Sequence, residues 1–283
     1  MEQPQRTHEA DELWRGLLTG THPILRRHRR FFKLLPSDPR CKLCSAPFKG
    51  PGGGLLRFTG KRPSNWNPAY CNLCDELARE HRGGAELELT LLFADVRGST
   101  ALAERMSAGA FRDLMNRYYA LATGLLTRSE AIIDKLVGDE VVALFLPAFA
   151  GPNHAERAIE VSRALLSATG HGGPDGPWLP IGVGIHTGTA FVGSVGPAGG
   201  HTEFTALGDA VNVAARLTST ASAGEVLVSE AACHAARLEP PPGSDWHELE
   251  LSGRTAAVRA VSIQAEKPER AGEKTRFDES QPS

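Results

Sequence analysis

The segment at residues 86–100 constrains the fold of this chain more than any other. Leucines alternate with polar residues and then give way to an unbroken apolar run, which predicts a central strand ending at Asp95. Gly98 permits a sharp turn there, and Ser99 or Thr100 can cap the helix that follows. A carboxylate at such a position can hold a divalent cation while free backbone N–H groups face a phosphate. Alone, the same residues could be no more than a helix cap.

The composition of the 283-residue chain is that of a packed globular protein, with 41% hydrophobic and 23% charged residues. The length suffices for one or two domains with a substantial core. A net charge of −2 argues against binding nucleic acid through overall charge. No apolar run approaches the roughly 20 residues of a membrane helix, and residues 1–5 lack the pattern of a signal peptide. We therefore expect a cytoplasmic protein without a transmembrane segment, in which nucleic-acid binding is not expected.

Residues 1–40 contain a helix-like piece at 11–18 and a basic segment at 26–33. We expect the basic segment to be a solvated helix face whose neighbouring apolar residues are tucked inward. The same charge could instead bind an acidic surface, lipid headgroups or a partner. The apolar residues expected to be buried are Phe31, Phe32, Leu34 and Leu35.

Four of the five cysteines form two Cys-x-x-Cys pairs, Cys41 with Cys44 and Cys71 with Cys74. In a reducing compartment such pairs favour metal ligation over disulfides. Two paired thiolates suit a tetrahedral Zn²⁺ site, which makes residues 41–80 a candidate zinc module. The gap between the pairs is longer than is usual in zinc ribbons, so an iron–sulfur cluster or redox dithiols stay as alternatives.

Residues 86–263 read as a second domain, entered through a hinge at 81–84. Its elements follow the order strand, helix, helix, hairpin, helix, strand pair, helix, strand. This order predicts an α+β fold with helices on one face of a largely antiparallel sheet and a ferredoxin-like core. The charged, proline-containing tail at 264–283 is predicted to be disordered.

Three details of this domain bear on its site. A hairpin is predicted to turn at Gly138 and Asp139. The strand at 179–186 carries glycines on one face, which leaves room for another backbone or a ligand, and 190–195 is predicted to pair with it. A helical stripe that includes Tyr118 is interpreted as buried core and nothing more.

Four more residues could carry chemistry together with Asp95. Lys135 and Asp139 lie on either side of the predicted hairpin turn, and Asn212 and Arg216 share one face of a predicted helix. Arg216 can present two N–H groups to a phosphoryl oxygen. Each residue also has an ordinary interpretation in a turn, a strand or a solvated helix. Their joint occurrence in one domain, in this order, favours a functional one.

Three segments in this order, 93–100, 135–139 and 205–216, resemble the three catalytic motifs of the class III nucleotidyl cyclases. The resemblance covers about residues 86–263 and leaves the N-terminal four-cysteine module outside. Thr205 stands where many members have aspartate. A threonine there resembles a bacterial subclass that is adenine-directed and includes bicarbonate-responsive enzymes, so bicarbonate sensitivity is a hypothesis for this chain.

The resemblance implies an adenylyl cyclase that converts ATP to 3′,5′-cyclic AMP and pyrophosphate with two Mg²⁺ or Mn²⁺ ions. Asp95, Asp139 and the Val96 carbonyl would hold the ions. Lys135 would donate a hydrogen bond to adenine N1, and Thr205 would accept one from the 6-amino group. Guanine reverses this pattern of donor and acceptor.

The other residues implied by the resemblance contact the ribose and the phosphates. Asn212 would orient the ribose, and Arg216 would stabilise charge on the α-phosphate in the transition state. Backbone N–H groups at 98–100 would cradle phosphate, and Arg254 could reach the outer phosphates. In this family the metal aspartates come from one subunit and the Lys, Thr, Asn and Arg residues from the other. A homodimer with two equal sites is therefore expected.

Other functions remain open from the sequence. A guanylyl cyclase is disfavoured by Lys135 and Thr205. A catalytically silent nucleotide-binding regulator would have lost a metal aspartate or the arginine, and none is lost. The cysteine module could be the main function, as a zinc-dependent adaptor for nucleic acid or protein. A diguanylate cyclase shares the core fold, but its Gly-Gly-acidic-acidic-Phe turn does not occur in the sequence.

Overall fold

The computed structural model describes residues 4–35, 39–41, 43–58, 60–64, 70–80, 83–197, 203–240, 246–249 and 257–264. None of the helices in these ranges is both long and apolar enough to cross a membrane. Apart from its first residue, the tail predicted to be disordered lies outside the described residues. The elements are α1 (Pro4–Thr19), α2 (Pro23–Lys33), α3 (Gly50–Arg57), α4 (Asn72–Glu80), β1 (Gly84–Val96), α5 (Ser99–Arg105), α6 (Ala108–Arg128), β2 (Ile132–Val137), β3 (Glu140–Phe145), α7 (Pro147–Ala150), α8 (His154–Ala168), β4 (Ile181–Val195), β5 (Glu203–Leu207), α9 (Asp209–Thr220), β6 (Glu225–Ser229), α10 (Glu230–Ala236), β7 (Trp246–Leu249) and β8 (Val258–Gln264).

All these strands belong to one sheet in the order β2-β3-β1-β4-β6-β8-β7, with β5 paired to β4. Within the described residues the pairings are antiparallel, except that β4 and β6 run parallel. The neighbours β2, β3, β1 and β4, with the helices that connect them, have the order of a ferredoxin-like core. The predicted α+β class and the largely antiparallel sheet are confirmed.

Strand β4 is a single strand of 15 residues, so the predicted pair of strands at 179–186 and 190–195 is wrong. Its first half pairs with β1 and β6, and its second half pairs with β1 and β5. Strand β1 is itself 13 residues long and runs beside β4 from Gly84 to Val96. Because β1 offers a continuous edge of backbone partners, β4 stays extended through 187–189 instead of turning.

Strand β1 is buried on both faces from Leu89 to Ala94, which explains why its sequence changes from alternation to an unbroken apolar run. Leu92 and Ala94 belong to a core built with α6, α8 and α10. Leu91 and Phe93 belong to a second core, which contains residues of α1 and α9 and the four paired cysteines. The prediction of helices on one face is therefore wrong, because the N-terminal segment and α9 cover the other face.

The N-terminal segment docks on this second face through α1 and α2. Trp14 of α1 packs against Phe204 of β5, with ring centroids 5.6 Å apart. Arg29 of α2 donates to the carbonyl of Ala148 and lies over the ring of Phe149, 4.9 Å from its centroid. Helices α1 and α2 are thus held to β5 and α7 of the sheet domain.

Docking of α2 buries only part of its apolar side chains. Phe32 is buried and Leu35 packs against the core, whereas Phe31 and Leu34 are 59% and 80% exposed. The prediction that all four are tucked inward is wrong for these last two. Neighbouring residues on a helix lie about 100° apart around its axis, so one contact surface does not bury both phenylalanines.

Candidate active site

Two aspartates meet at the end of the central strand. Asp95 is the penultimate residue of β1 and lies opposite Glu140 of β3, so Asp139 in the preceding turn comes beside it. The predicted hairpin turn at Gly138 and Asp139 is confirmed. Burial raises the pKa of Asp95, and the nearby Asp139 carboxylate raises it further. A cation bound beside these two carboxylates would offset the repulsion that acts on Asp95.

Arg97 is a third charged group at this position, and no role was predicted for it from the sequence. Its guanidinium pairs with the Asp95 carboxylate and also donates to the carbonyl of Ser219 at 3.3 Å. This contact opposes the rise in the pKa of Asp95. The side chains of Arg97 and Asp95 are partly accessible, with 21% and 28% of their surfaces exposed respectively. Val96, between the two, is buried and closes β1 against Ile181 of β4.

Two tyrosines of α6 hold the backbone just before each aspartate. The Tyr118 hydroxyl donates to the carbonyl of Ala94 at 3.3 Å, and the Tyr119 hydroxyl donates to the carbonyl of Gly138. Burial raises the pKa of Tyr118, so its hydroxyl keeps the proton that it donates. The interpretation of the α6 stripe as core and nothing more is wrong for Tyr118. The sequence gives one signal for this role, a Tyr-Tyr pair at the centre of an apolar stripe.

The turn after Asp95 depends on a glycine. Gly98 has a φ of 71°, in the left-handed region that residues with a Cβ rarely adopt. It is also the N-cap of α5, which begins at Ser99. The predicted capping by Ser99 or Thr100 is therefore wrong, since both lie within the first turn of the helix. Ser99 is half-buried and Thr100 is exposed.

The two residues expected to read the base lie around one carboxylate. Thr205 of β5 is buried, and its hydroxyl donates to Oδ2 of Asp134 at 3.0 Å. The Lys135 ammonium nitrogen lies 3.5 Å from the same oxygen. Strands β2 and β5 thus bring Lys135 and Thr205 together, although 70 residues separate them in the chain. Asp134 was not predicted from the sequence, where it carries no signal beyond its place beside Lys135.

Asn212 and Arg216 lie one turn apart on the outer face of α9, and both are exposed. The inner face of α9 packs closely on β4, because a Cβ at Gly184 would lie 2.4 Å from the backbone nitrogen of Thr218. The close approach predicted at the β4 glycines is observed here. Within the described residues, the side chains of Asn212 and Arg216 form no hydrogen bond or ion pair. They are thus free to meet a ligand or another chain.

The predicted site residues fall into two clusters and one exposed pair. Asp95 and Asp139 form the first cluster, and Lys135 and Thr205 form the second, around Asp134. The exposed pair on α9 joins neither cluster through a hydrogen bond or ion pair among the described residues. Arg254 lies outside the described residues.

The four paired cysteines form a compact cluster on the second face of the sheet. Their side chains are buried, and their sulfur atoms all lie within 4.8 Å of one another. Cys44 Sγ and Cys71 Sγ are 3.8 Å apart, too far for a disulfide. Zinc–sulfur bonds of about 2.3 Å place the sulfurs of a tetrahedral site about 3.8 Å apart. The donor set and its spacing therefore fit a tetrahedral metal ion.

Two donors also point at these sulfurs. The backbone N–H of Cys71 donates to Cys41 Sγ at 3.2 Å, and the Lys61 ammonium lies 3.9 Å from Cys44 Sγ. Such donors stabilise thiolates, which are the form that binds metal ions.

The chain is similar to several known proteins. The sequence profile of the family described as "Adenylate and Guanylate cyclase catalytic domain" matches residues 85–258. An adenylate cyclase of Anabaena cylindrica is 31% identical over 140 residues, which are 46% of this chain and 26% of that protein. An uncharacterized protein of Mycobacterium tuberculosis is 30% identical over 167 residues, 57% of this chain and 30% of that protein. The solved structure of an adenylyl cyclase from P. aeruginosa is 28% identical with a TM-score of 0.55, over 65% of this chain and 97% of that chain.

The profile match is confined to the sheet domain. The four-cysteine module lies outside the residues that the profile matches. The aligned parts are less than a third of the length of these two curated relatives. The profile covers more than half of this chain, and the solved cyclase shares its α+β sheet. The chain therefore belongs to the family of adenylate and guanylate cyclase catalytic domains, the class III nucleotidyl cyclases.

Proposed function

We propose that this chain is an adenylyl cyclase, which converts ATP to 3′,5′-cyclic AMP and pyrophosphate. The observation that carries the proposal is the pair of base-reading residues, Lys135 and Thr205, brought together beside one buried carboxylate. An ammonium donor and a hydroxyl acceptor match N1 and the 6-amino group of adenine. The relatives named adenylate cyclase support the same choice of nucleotide.

Asp95, Asp139 and the Val96 carbonyl would hold two Mg²⁺ or Mn²⁺ ions. The donor set fits hard divalent cations, which prefer carboxylate and carbonyl oxygens. Such ions, when bound, lower the pKa of the ribose 3′-hydroxyl and neutralise the triphosphate. The chain's own part is to fix the two carboxylates, and Tyr118 and Tyr119 support this by bonding the preceding carbonyls.

The remaining residues would act on the ribose and the phosphates. Asn212 would orient the ribose, and Arg216 would stabilise charge on the α-phosphate as the bond to pyrophosphate breaks. Backbone N–H groups of residues 98–100 would face the phosphates. Arg254 stays a prediction from the family resemblance, with a role at the outer phosphates.

We further propose that two copies of the chain form the active site together. Asn212 and Arg216 are exposed on α9, where a second copy could bring its metal aspartates to them. The contacts that link Asp95 to Asp139 are separate from those that link Lys135 to Thr205. A symmetric dimer would then contain two equal sites. Each site would combine the metal aspartates of one chain with the Lys, Thr, Asn and Arg residues of the other.

The direct test is to identify the product. Purified protein incubated with Mn²⁺ and either ATP or GTP is expected to form cyclic AMP and pyrophosphate from ATP, with GTP converted more slowly. Cyclic GMP as the main product would favour a guanylyl cyclase. Failure to form either product, with nucleotide still bound, would favour a silent regulatory protein.

We also propose that the four-cysteine cluster binds one structural Zn²⁺ per chain. Elemental analysis of anaerobically purified protein is expected to give one zinc per chain. Cys71→Ser should lose most of the metal and lower the free energy of unfolding by on the order of 3 kcal/mol, because the cluster belongs to the core.

Cys233→Ala is the matched control for the zinc prediction. Cys233 is also buried, but it lies on α10 in the other core, so its replacement should leave the metal content unchanged. Iron with sulfide, or no metal at all, would contradict the zinc proposal and leave the cyclase proposal intact.

A further inference from the structure

Asp134 occupies an irregular position in β2. The register of β2 with β3 shifts between Ile133 and Lys135, so Asp134 is the extra residue of a β-bulge. In a regular strand, the side chains of neighbouring residues point to opposite faces of the sheet. The bulge removes this alternation, and the Lys135 ammonium comes within 3.5 Å of Asp134 Oδ2. The backbone irregularity therefore brings these two charges together.

The Asp134 carboxylate is much more deeply buried than its partner Lys135. Its side chain is only 3% exposed, while that of Lys135 is 40% exposed. Its Oδ1 atom is buried without a hydrogen-bond partner among the described residues. A buried acceptor without a partner opposes folding. Stability alone does not account for a carboxylate in this position, and such costs concentrate at functional sites.

We infer that Asp134 is a positioning residue that makes the site specific for an adenine base, through the orientation of the Thr205 hydroxyl and the Lys135 ammonium. This inference rests on the proposed adenylyl cyclase activity and deepens it. Asp134 lies outside the three segments that resemble the cyclase motifs, 93–100, 135–139 and 205–216, and the family resemblance gives it no role.

The chemical argument concerns a single proton. A threonine hydroxyl can donate one hydrogen bond and accept two, so by itself it accepts from adenine or donates to guanine equally well. Adenine presents its 6-amino donor where guanine presents the O6 acceptor. Because Thr205 donates its proton to Asp134 at 3.0 Å, only lone pairs of its oxygen face other partners. The hydroxyl then accepts from the adenine amino group and has no proton for guanine.

Asp134 also favours adenine over guanine through its contact with Lys135. The ammonium group has three donors, and the ion pair with Asp134 engages one side of it. A lysine side chain is otherwise flexible, and this contact restricts where its other donors point. An ordered donor suits adenine N1, which accepts a hydrogen bond, and repels the N–H that guanine has at the same place.

The test compares ATP with GTP in variants of Asp134. In Asp134→Ala, the Thr205 hydroxyl can rotate and donate, so the ratio of kcat/KM for ATP to that for GTP should fall by about 10-fold or more. In Asp134→Asn, an amide oxygen still accepts but without charge, so the ratio should fall by only about 3-fold. Asp113→Ala, an exposed aspartate on α6, should leave the ratio unchanged.

A double-mutant cycle separates this role from a structural one. With Thr205→Val in place there is no hydroxyl to orient, so adding Asp134→Ala should change the ratio by a smaller factor than it does in the wild type. An unchanged ratio in folded Asp134→Ala, or the same factor in both backgrounds, would overturn the inference. If Asp134→Ala does not fold, an unchanged ratio in Asp134→Asn would overturn it. Absence of cyclic AMP from the wild type would instead overturn the proposed function, and this inference with it.

Discussion

Asp95→Ala and Arg216→Ala are each expected to be inactive as a homodimer, and to recover cyclic AMP synthesis when the two chains form mixed dimers. The first variant lacks a proposed metal ligand and the second lacks the proposed transition-state donor, so each homodimer should have two damaged sites. In a mixed dimer with shared sites, both lesions fall in one site. The other site then has intact Asp95, Asp139, Lys135 and Arg216.

The expected recovery can be stated as a fraction. Random exchange of equal amounts makes half of the dimers mixed, and each mixed dimer has one intact site of two. Activity should therefore reach up to about a quarter of the wild type by the two-fold symmetry of such an interface. The measurement is cyclic AMP formed by co-expressed variants carrying different affinity tags. The unseparated mixture should show about a quarter of the wild-type activity, and the isolated mixed dimers should show about half, because one of their two sites is intact.

A matched control combines two variants that each lack one of the proposed metal aspartates. Mixed dimers of Asp95→Ala and Asp139→Ala have one damaged metal ligand in every site, so they should stay inactive. Asp113→Ala, an exposed aspartate of α6, should be active alone. If Asp95→Ala and Arg216→Ala form mixed dimers without any recovery, the shared site is wrong.

Lys135→Glu is expected to reduce turnover of ATP by at least about 100-fold, since one mismatched buried polar contact costs about 3 kcal/mol. Loss of the ammonium donor is one reason for this reduction, and the structure gives a second one. A glutamate at 135 would place a second carboxylate near Asp134, whose present neighbours are an ammonium and a hydroxyl. Burial raises the pKa of Asp134 while Lys135 lowers it, so the variant would also remove the charge that opposes the rise in this pKa.

The measurement is kcat/KM for ATP and for GTP, with the free energy of unfolding as a check of folding. The ratio of ATP to GTP activity should fall in Lys135→Glu. Lys49→Glu makes the same change at the exposed N-cap of α3, and it should leave both activities unchanged. Unchanged ATP activity and an unchanged ratio in folded Lys135→Glu would contradict the assignment of base reading to this residue.

The parts of the fold that the sequence predicted correctly are those with local signals. Alternation followed by an apolar run predicted β1, and Gly138 with Asp139 predicted the turn between β2 and β3. The spacing of the four cysteines predicted that their sulfurs would converge. In each case residues close in the chain already carry the pattern, and tertiary contacts only complete it.

The parts that were missed depend on contacts between distant residues. The bulge at Asp134 has no signature of its own, because it depends on how β2 meets β3. The bonds from Tyr118 and Tyr119 to backbone carbonyls became visible only once α6 lay on the sheet. The same holds for the covering of both sheet faces, since nothing in residues 1–40 indicates which surface of the sheet they cover.

The second core described above has a consequence for how this chain folds. Side chains from the N-terminal segment, including Trp14 and Leu17, are buried with Leu89 and Leu91 of β1 in one apolar cluster. The family profile begins at residue 85, but the core that contains β1 includes side chains from well before that residue. A chain cut at that boundary would expose leucines of its own central strand to water. We therefore expect the cooperatively folding unit of this protein to begin before the family profile does.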